Sequence, residues 1–375
     1  MPVVLIAGGG TGGHLTPALA LAAALRRRVP GLEPVLVGAE RGIESLVLPS
    51  RDFRHALLPS EPVYRRQWWR NARLPLAGLR VLRALRELFA RERPVAAIGT
   101  GGYASAPAIW YADRRGLPTA IQEQNAFPGL ATRWLARRVD HVYLGLPEAA
   151  RHLRPGRRTE VFDTGNPITP PDPSRRPAAL ARFGLDPSRP TVVITGGSQG
   201  ALAINRVVAE WVRRGGASAL NVIWVTGKGS WREFAALHAP PALHVVDFLD
   251  PMADAWAVAD LVVSRAGMLT VAEVCAWGLP SILVPLPTAA ADHQARNAEA
   301  MALAGAAMHV PQSSFDPETL TDVIGEMFSL GLRRERMAAA ALARARPNAA
   351  AEIVSRFLTL VGIARAFPNY RAALD

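Results

Sequence analysis

The sequence has one cysteine, one lysine and no apolar run long enough to cross a bilayer. The single thiol, Cys275, excludes an internal disulfide. Its place in the apolar stretch 271–277 assigns it to a core and makes it a poor nucleophile candidate. No stretch of 18 apolar residues occurs, so a soluble protein without a transmembrane helix is expected. No basic segment with a small-residue cleavage site precedes the first strand-like run, which argues against a secretory signal and for the cytoplasm. No Asp-x-Asp pair is present to hold a divalent metal beside a phosphate. Lys228 is the sole lysine, and the other 42 of the 43 basic residues are arginine. Against 31 acidic residues they give a formal net charge of +12. Codon bias explains part of the arginine excess, but the charge must still sit on a surface. Nucleic acid, anionic lipid and anionic small molecules are therefore the partner classes to weigh.

What is present is enough chain, at 375 residues and 50% hydrophobic, for two domains of roughly 170 residues with their own cores. The organising stretch is Gly8-Gly9-Gly10-Thr11-Gly12-Gly13-His14, between an apolar run at 3–7 and a helical pattern at 17–28. Glycines let backbone N–H groups approach a ligand, and a helix N-terminus adds unpaired donors and partial positive charge, so an anion is expected there. Gly8, Gly10 and Gly13 also fit G-x-G-x-x-G, a weak dinucleotide signal by itself. His14 stands where a substrate hydroxyl could meet an imidazole, a role that competes with capping or packing. After a second strand at 35–38, Glu40 or Glu44 could imitate the acidic ribose ligand of a dinucleotide fold, but a surface-helix charge explains both more simply.

Residues 64–89 interleave basic and apolar side chains. On a helix, Leu79, Leu82, Leu85, Leu88 and Phe89 share a stripe, with Arg80, Arg83, Arg86 and Arg91 to its side or behind, as in an ordinary amphipathic helix on a sheet. The tip is less ordinary. Trp68 and Trp69 among Arg65, Arg66 and Arg70 suit an anionic headgroup interface. Stacking on single-stranded nucleic acid is the competing reading, disfavoured because no nucleic-acid module occurs elsewhere.

Further strands at 95–99 and 119–122 end in Thr100-Gly101-Gly102-Tyr103 and Glu123-Gln124-Asn125, where open α/β sheets bind ligands. Tyr103 either presents its hydroxyl or packs. Residues 161–167 close this half, and Pro170, Pro171, Pro173 and Pro177 mark a linker. The plan then restarts: a strand at 192–195, Gly196-Gly197-Ser198-Gln199-Gly200-Ala201, a helix at 204–213, and strands at 222–226, 244–246, 261–264 and 281–284. The expected fold is therefore α/β, with two Rossmann-like domains facing each other across a cleft.

In the second half, Gly267 precedes a helix, so a diphosphate can sit over the backbone of residues 268–270 without a metal. Glu273 can accept from both hydroxyls of a ribose, or can merely favour the helix dipole. Gln294 and Asn297, at i and i+3, can hydrogen-bond sugar hydroxyls, while Asp292 fits an N-cap. A long helix is expected over 349–366, crossing back to the first domain.

Assembled, these motifs resemble the MurG family, the peptidoglycan undecaprenyldiphospho-muramoylpentapeptide β-N-acetylglucosaminyltransferases of glycosyltransferase family 28. The carriers are residues 9–14, 100–103, 123–125, 165–167, 196–201 and 270–273, with Asp292-His293-Gln294. The resemblance spans nearly the whole chain and implies a GT-B fold. It implies inverting transfer of GlcNAc from UDP-GlcNAc to the 4-hydroxyl of the muramoyl unit of lipid I, at the cytoplasmic face of the membrane, with no cofactor. It also implies residues 1–167 as the acceptor and membrane domain, 168–348 as the UDP-GlcNAc domain, and 349–375 returning to the first. Carried over, Thr11, Gly12, Gly13 and Asn125 form the first-domain side of the donor site, with Ser198 at the diphosphate. Leu249 offers its backbone to uracil. Met268, Leu269, Thr270, Val271, Ala272 and Glu273 hold diphosphate and ribose, and Gln294 touches the sugar. His14 is the general base, with Tyr103 and Asn125 orienting the acceptor. Thr169 stands where the family usually has arginine, and Ala266 and Met268 also depart from the pattern. The competing enzyme is a UDP-GlcNAc 2-epimerase of the same fold; a dinucleotide-binding protein would use only the first turn.

Overall fold

A computed structural model of the chain describes residues 1–61, 74–329 and 331–362. The tip carrying Arg65, Arg66, Trp68, Trp69 and Arg70 lies outside the described residues. The chain divides into two compact units, residues 1–168 with the segment from 348 onward, and residues 169–347.

The first unit is built on seven parallel strands: β1 (Val3–Gly8), β2 (Glu33–Ala39), β3 (His55–Leu58), β4 (Ala96–Gly101), β5 (Thr119–Glu123), β6 (His141–Leu144) and β7 (Glu160–Asp163). Their spatial order is β3-β2-β1-β4-β5-β6-β7. All pairings are parallel. Both faces are covered, which is why β1 reads as a continuous apolar run rather than an alternating one. Val4, Ile6, Leu36 and Ile98 pack under the helix Gly12–Arg28 and the terminal helix Ala349–Val361. Leu5, Ala7, Val35 and Val37 face the helices Leu74–Glu92 and Ser105–Arg114.

The second unit repeats the scheme with β8 (Thr191–Thr195), β9 (Asn221–Val225), β10 (Leu243–Val246), β11 (Leu261–Ser264), β12 (Ser281–Leu283) and β13 (Met308–His309). The order is β10-β9-β8-β11-β12-β13, again parallel throughout. Both units are thus Rossmann-like, with the first strand of each at the point where the order reverses, so its following turn opens where ligands bind.

Several elements differ from the sequence expectation. The first helix begins at Gly12, not at Pro17, so His14 lies in its first turn. β3, β6, β7 and β13 were not anticipated as strands. The helix Leu74–Glu92 buries Ala77, Val81, Leu85, Leu88 and Phe89, but Leu79 and Leu82 fall off that stripe and are exposed, as is Leu76. Pro177 belongs to the first turn of the helix Arg176–Phe183 rather than to a linker, a position where its missing N–H costs nothing. The terminal helix stops at Val361, where Gly362 takes a left-handed φ of 69° as C-cap.

Candidate functional site

The first unit assembles its polar groups at the carboxyl ends of β1, β4 and β5. Thr11 precedes the helix in extended conformation without a side-chain cap. Its Oγ1 lies 3.1 Å from His14 Nδ1, and that nitrogen is also 3.2 Å from the Gly9 carbonyl. A carbonyl only accepts, so a hydrogen bond at this contact has Nδ1–H as its donor, the tautomer whose basic lone pair is on Nε2. The Thr100 hydroxyl donates to the His14 carbonyl at 2.8 Å, pinning the end of β4 onto the first turn of the helix Gly12–Arg28. The two glycines after Thr100 are required by close approach. A Cβ on Gly101 would come within 2.6 Å of the His14 ring. One on Gly102, which has φ +86°, would collide with the Gly9 carbonyl. Tyr103 lies over Gly10, its ring 2.8 Å from where a Cβ would stand.

Glu44 is fully buried, not the surface-helix charge expected. Its carboxylate accepts from the Gly10 N–H at 3.0 and 2.8 Å and from the Ala39 N–H at 2.7 Å. It therefore occupies one backbone amide of the first glycine turn, that of Gly10. Glu40 is exposed at the end of β2. The signal for Glu44 was present in its setting: a side chain on Gly9, Gly38 or Gly42 would collide with it.

Asn125 is held by Glu123, whose Oε1 accepts from its backbone N–H and side-chain amide, both at 3.1 Å. The other oxygen accepts from Gly129 N–H at 3.1 Å and Thr132 Oγ1 at 2.7 Å. Glu123 and Gln124 are buried, leaving Asn125 as the partly exposed member of the triplet. Gln124 donates to the Thr100 carbonyl at 2.7 Å, and buried Asn166 donates to the Gln124 carbonyl at 3.1 Å. This amide network ties β5 to the Gly165-Asn166-Pro167 turn.

In the second unit the helix Met268–Ala276 starts after Gly267 with no side-chain cap, so the donors at its N-terminus are backbone N–H groups. Ala266 and Met268 are buried. Their departure from the usual residues is a matter of packing and leaves the amides in place. Leu269, Thr270 and Ala272 are partly exposed, whereas Val271 is buried. Glu273 accepts from Trp256 Nε1 at 3.1 Å. Burial pushes the Glu273 carboxyl above its ordinary pKa, partly countered by that indole. Trp256 was not anticipated, because nothing in the spacing links positions 256 and 273.

Ser198 is exposed in the turn after β8. Buried Asn205 fastens the next helix to β9, donating to Thr226 O at 2.8 Å and accepting from Trp224 Nε1 at 3.0 Å. The Leu249 side chain is buried, beside exposed Phe248 and the Lys228 ammonium 5.1 Å from its ring. Gln294 accepts from Leu286 N–H at 3.0 Å. Asn297 is not a sugar ligand in this arrangement: it is fully buried and donates to the Ala266 carbonyl at 3.1 Å. Asp292 makes no capping bond; with Ala291 it takes a left-handed φ, a strained pair at the entrance to the helix His293–Leu303. Buried Arg265 steadies the same loop, donating to the Val284 and Pro285 carbonyls at 3.1 and 3.0 Å and to Gln312 at 2.6 Å. Burial pushes the Cys275 thiol up to about 12, in keeping with a core residue.

Comparison with known proteins agrees with this layout. The Glycosyltransferase family 28 N-terminal domain matches residues 4–144 and the C-terminal domain residues 191–353. A Chlorobaculum tepidum relative is 39% identical over 362 residues, covering 95% of this chain and 99% of its own length. It is named UDP-N-acetylglucosamine--N-acetylmuramyl-(pentapeptide) pyrophosphoryl-undecaprenol N-acetylglucosamine transferase. Among solved structures, Acinetobacter baumannii MurG is 28% identical with a TM-score of 0.75, covering 96% of this chain and 100% of that one. A putative UDP-N-acetylglucosamine 2-epimerase from Listeria monocytogenes covers 96% of each chain with a TM-score of 0.68, but at 17% identity the likeness is one of fold alone. With both domains matched in order and a relative of this identity along nearly its whole length, the chain belongs to glycosyltransferase family 28.

Proposed function

We propose that the protein transfers N-acetylglucosamine from UDP-GlcNAc to the 4-hydroxyl of the muramoyl unit of lipid I, with inversion, giving lipid II. The name of the Chlorobaculum tepidum relative supports the substrates. The geometric observation that carries the reading is the uncapped helix start at Met268 with Glu273 in the same helix, held by Trp256. Backbone N–H groups at such a terminus offset the charge of a diphosphate, and an acceptor-only carboxylate suits vicinal hydroxyls. Ser198, the Leu249 backbone and Gln294 complete the donor side in this proposal. In the first unit, Thr11, Gly12, Gly13 and Asn125 contribute to the donor sugar's surroundings, and Tyr103 and Asn125 orient the acceptor.

The chemistry is a single displacement. The acceptor oxygen forms the new bond to the anomeric carbon, the bond to the diphosphate breaks, UDP takes the electron pair, and His14 takes the hydroxyl proton. The acceptor's lipid tail requires approach to a membrane. Exposed Leu76, Leu79 and Leu82, with Arg80, Arg83 and Arg86 on the same helix, support a peripheral site on an anionic, cytoplasmic bilayer surface.

The test is incubation with labelled UDP-GlcNAc and a lipid I analogue. A β-linked disaccharide is expected. Conversion of UDP-GlcNAc alone to its 2-epimer, with no disaccharide, would replace this reading by the epimerase.

A further inference from the structure

Glu44 is a buried carboxylate that the displacement chemistry above does not use. It enters from the turn after β2, and its two oxygens accept the Gly10 N–H while Oε1 also accepts that of Ala39. Three glycines, at 9, 38 and 42, make room for it. The Gly10 N–H and the Gly9 carbonyl belong to one peptide group. On one side that group donates to Glu44; on the other its oxygen lies 3.2 Å from His14 Nδ1. The arrangement is a carboxylate and an imidazole with a single peptide bond between them.

Hydrogen bonds in series polarise one another, so a peptide whose N–H is bound to a carboxylate presents a more electron-rich oxygen. That oxygen then holds a protonated Nδ1 more firmly and stabilises the imidazolium formed when Nε2 takes a proton. The Gly102 position admits no side chain, so its backbone packs directly beside this carbonyl. Glu44 is a charged group against the loop, and the titratable phenol of Tyr103 lies over Gly10.

We propose that Glu44 is a positioning residue for the transfer reaction: acting through the Gly9–Gly10 peptide, it fixes the Nδ1–H tautomer of His14 and strengthens Nε2 as the base. The proposal rests on the reading of His14 as the base.

The test combines imidazole 15N NMR of the full chain, with the His14 signal assigned by its loss in His14→Gln, and kinetics of Glu44→Gln. This variant keeps the side-chain volume and removes the charge. In the wild type, neutral His14 should carry its proton on Nδ1. In Glu44→Gln the His14 titration and the acidic limb of the kcat profile should both move to lower pH. We expect kcat to fall about tenfold while KM for UDP-GlcNAc stays within about twofold. A wild-type Nε2–H tautomer overturns the proposal, as does a His14 titration unmoved in folded Glu44→Gln. Should that variant not fold, Thr11→Val, which removes the Thr11 Oγ1 contact with Nδ1, decides: retention of Nδ1–H supports the peptide contact and its loss overturns it. Coupling seen by NMR in a protein that forms no disaccharide would reject the transferase reading alone.

Discussion

Replacing Glu273 by Gln should weaken UDP binding and at the same time relieve the fold of a burden. The side chain is partly enclosed, accepts from Trp256 at 3.1 Å, and has its pKa raised above the ordinary 4.5 by burial. A raised carboxyl pKa means that the folded state holds the proton more readily than the unfolded chain does. Between the two pKa values the folded state binds more protons, so stability falls as pH rises through that window from about 4.5 upward and stays lowered beyond it. A Gln of the same shape still accepts from Trp256 Nε1 and carries no charge to desolvate. The melting temperature of Glu273→Gln relative to wild type, measured without ligand, should therefore rise between pH 4 and pH 8. Binding should change in the opposite sense. The amide keeps one acceptor for the ribose hydroxyls and loses one charge-assisted bond, about 1.5–3 kcal/mol, or roughly ten- to a hundredfold in the Kd for UDP. Calorimetry with UDP and thermal unfolding across pH make the check. Unchanged UDP affinity, or a melting-temperature difference that shrinks toward pH 8, would refute the reasoning.

Trp256→Phe removes the indole donor, so discrimination between UDP and 2′-deoxy-UDP by calorimetry should fall about tenfold as Glu273 loses its orientation. Gly102→Ala places a Cβ against the Gly9 carbonyl at a left-handed φ; a loss of about 1–3 kcal/mol in urea unfolding and a drop in kcat larger than any rise in KM are expected. Leu79→Glu, on the exposed side of the helix Leu74–Glu92, should reduce co-sedimentation with anionic vesicles while leaving turnover of a short-tailed acceptor within about twofold. Phe357→Ala empties a fully buried position under the helix Gly12–Arg28, and denaturant titration should register about 3–5 kcal/mol of lost stability.

The glycine turns and most of the strands feeding them were legible in sequence because parallel strands covered on both faces are unbroken apolar runs, as in residues 3–7 and 192–195. The side chains that hold the turns in shape were not. Glu44 read as a surface charge because its partners, the amides of Gly10 and Ala39, are backbone groups with no residue signature. Asn297 shared a helical face with Gln294, yet periodicity cannot tell a face turned to a ligand from one turned to a loop carbonyl, and here that of Ala266 claims it. Leu79 and Leu82 fitted a core stripe by spacing, but only its other members, Leu85, Leu88 and Phe89, are buried, joined by Ala77 and Val81. Glu273 was legible as a candidate ribose ligand; its dependence on Trp256 came only with the tertiary fold.

The terminal helix Ala349–Val361 packs its Ile353, Val354, Phe357 and Leu358 into the first unit, beside Leu15, Leu21 and Leu25. That unit is therefore stitched from both ends of the chain, with the second inserted between them. During synthesis the opening sheet emerges early but leaves an oily flank uncovered until residues 349–361 have emerged, whereas the inserted unit is complete sooner. Nascent chains stalled before residue 349 should consequently show a protease-resistant second half and a susceptible first.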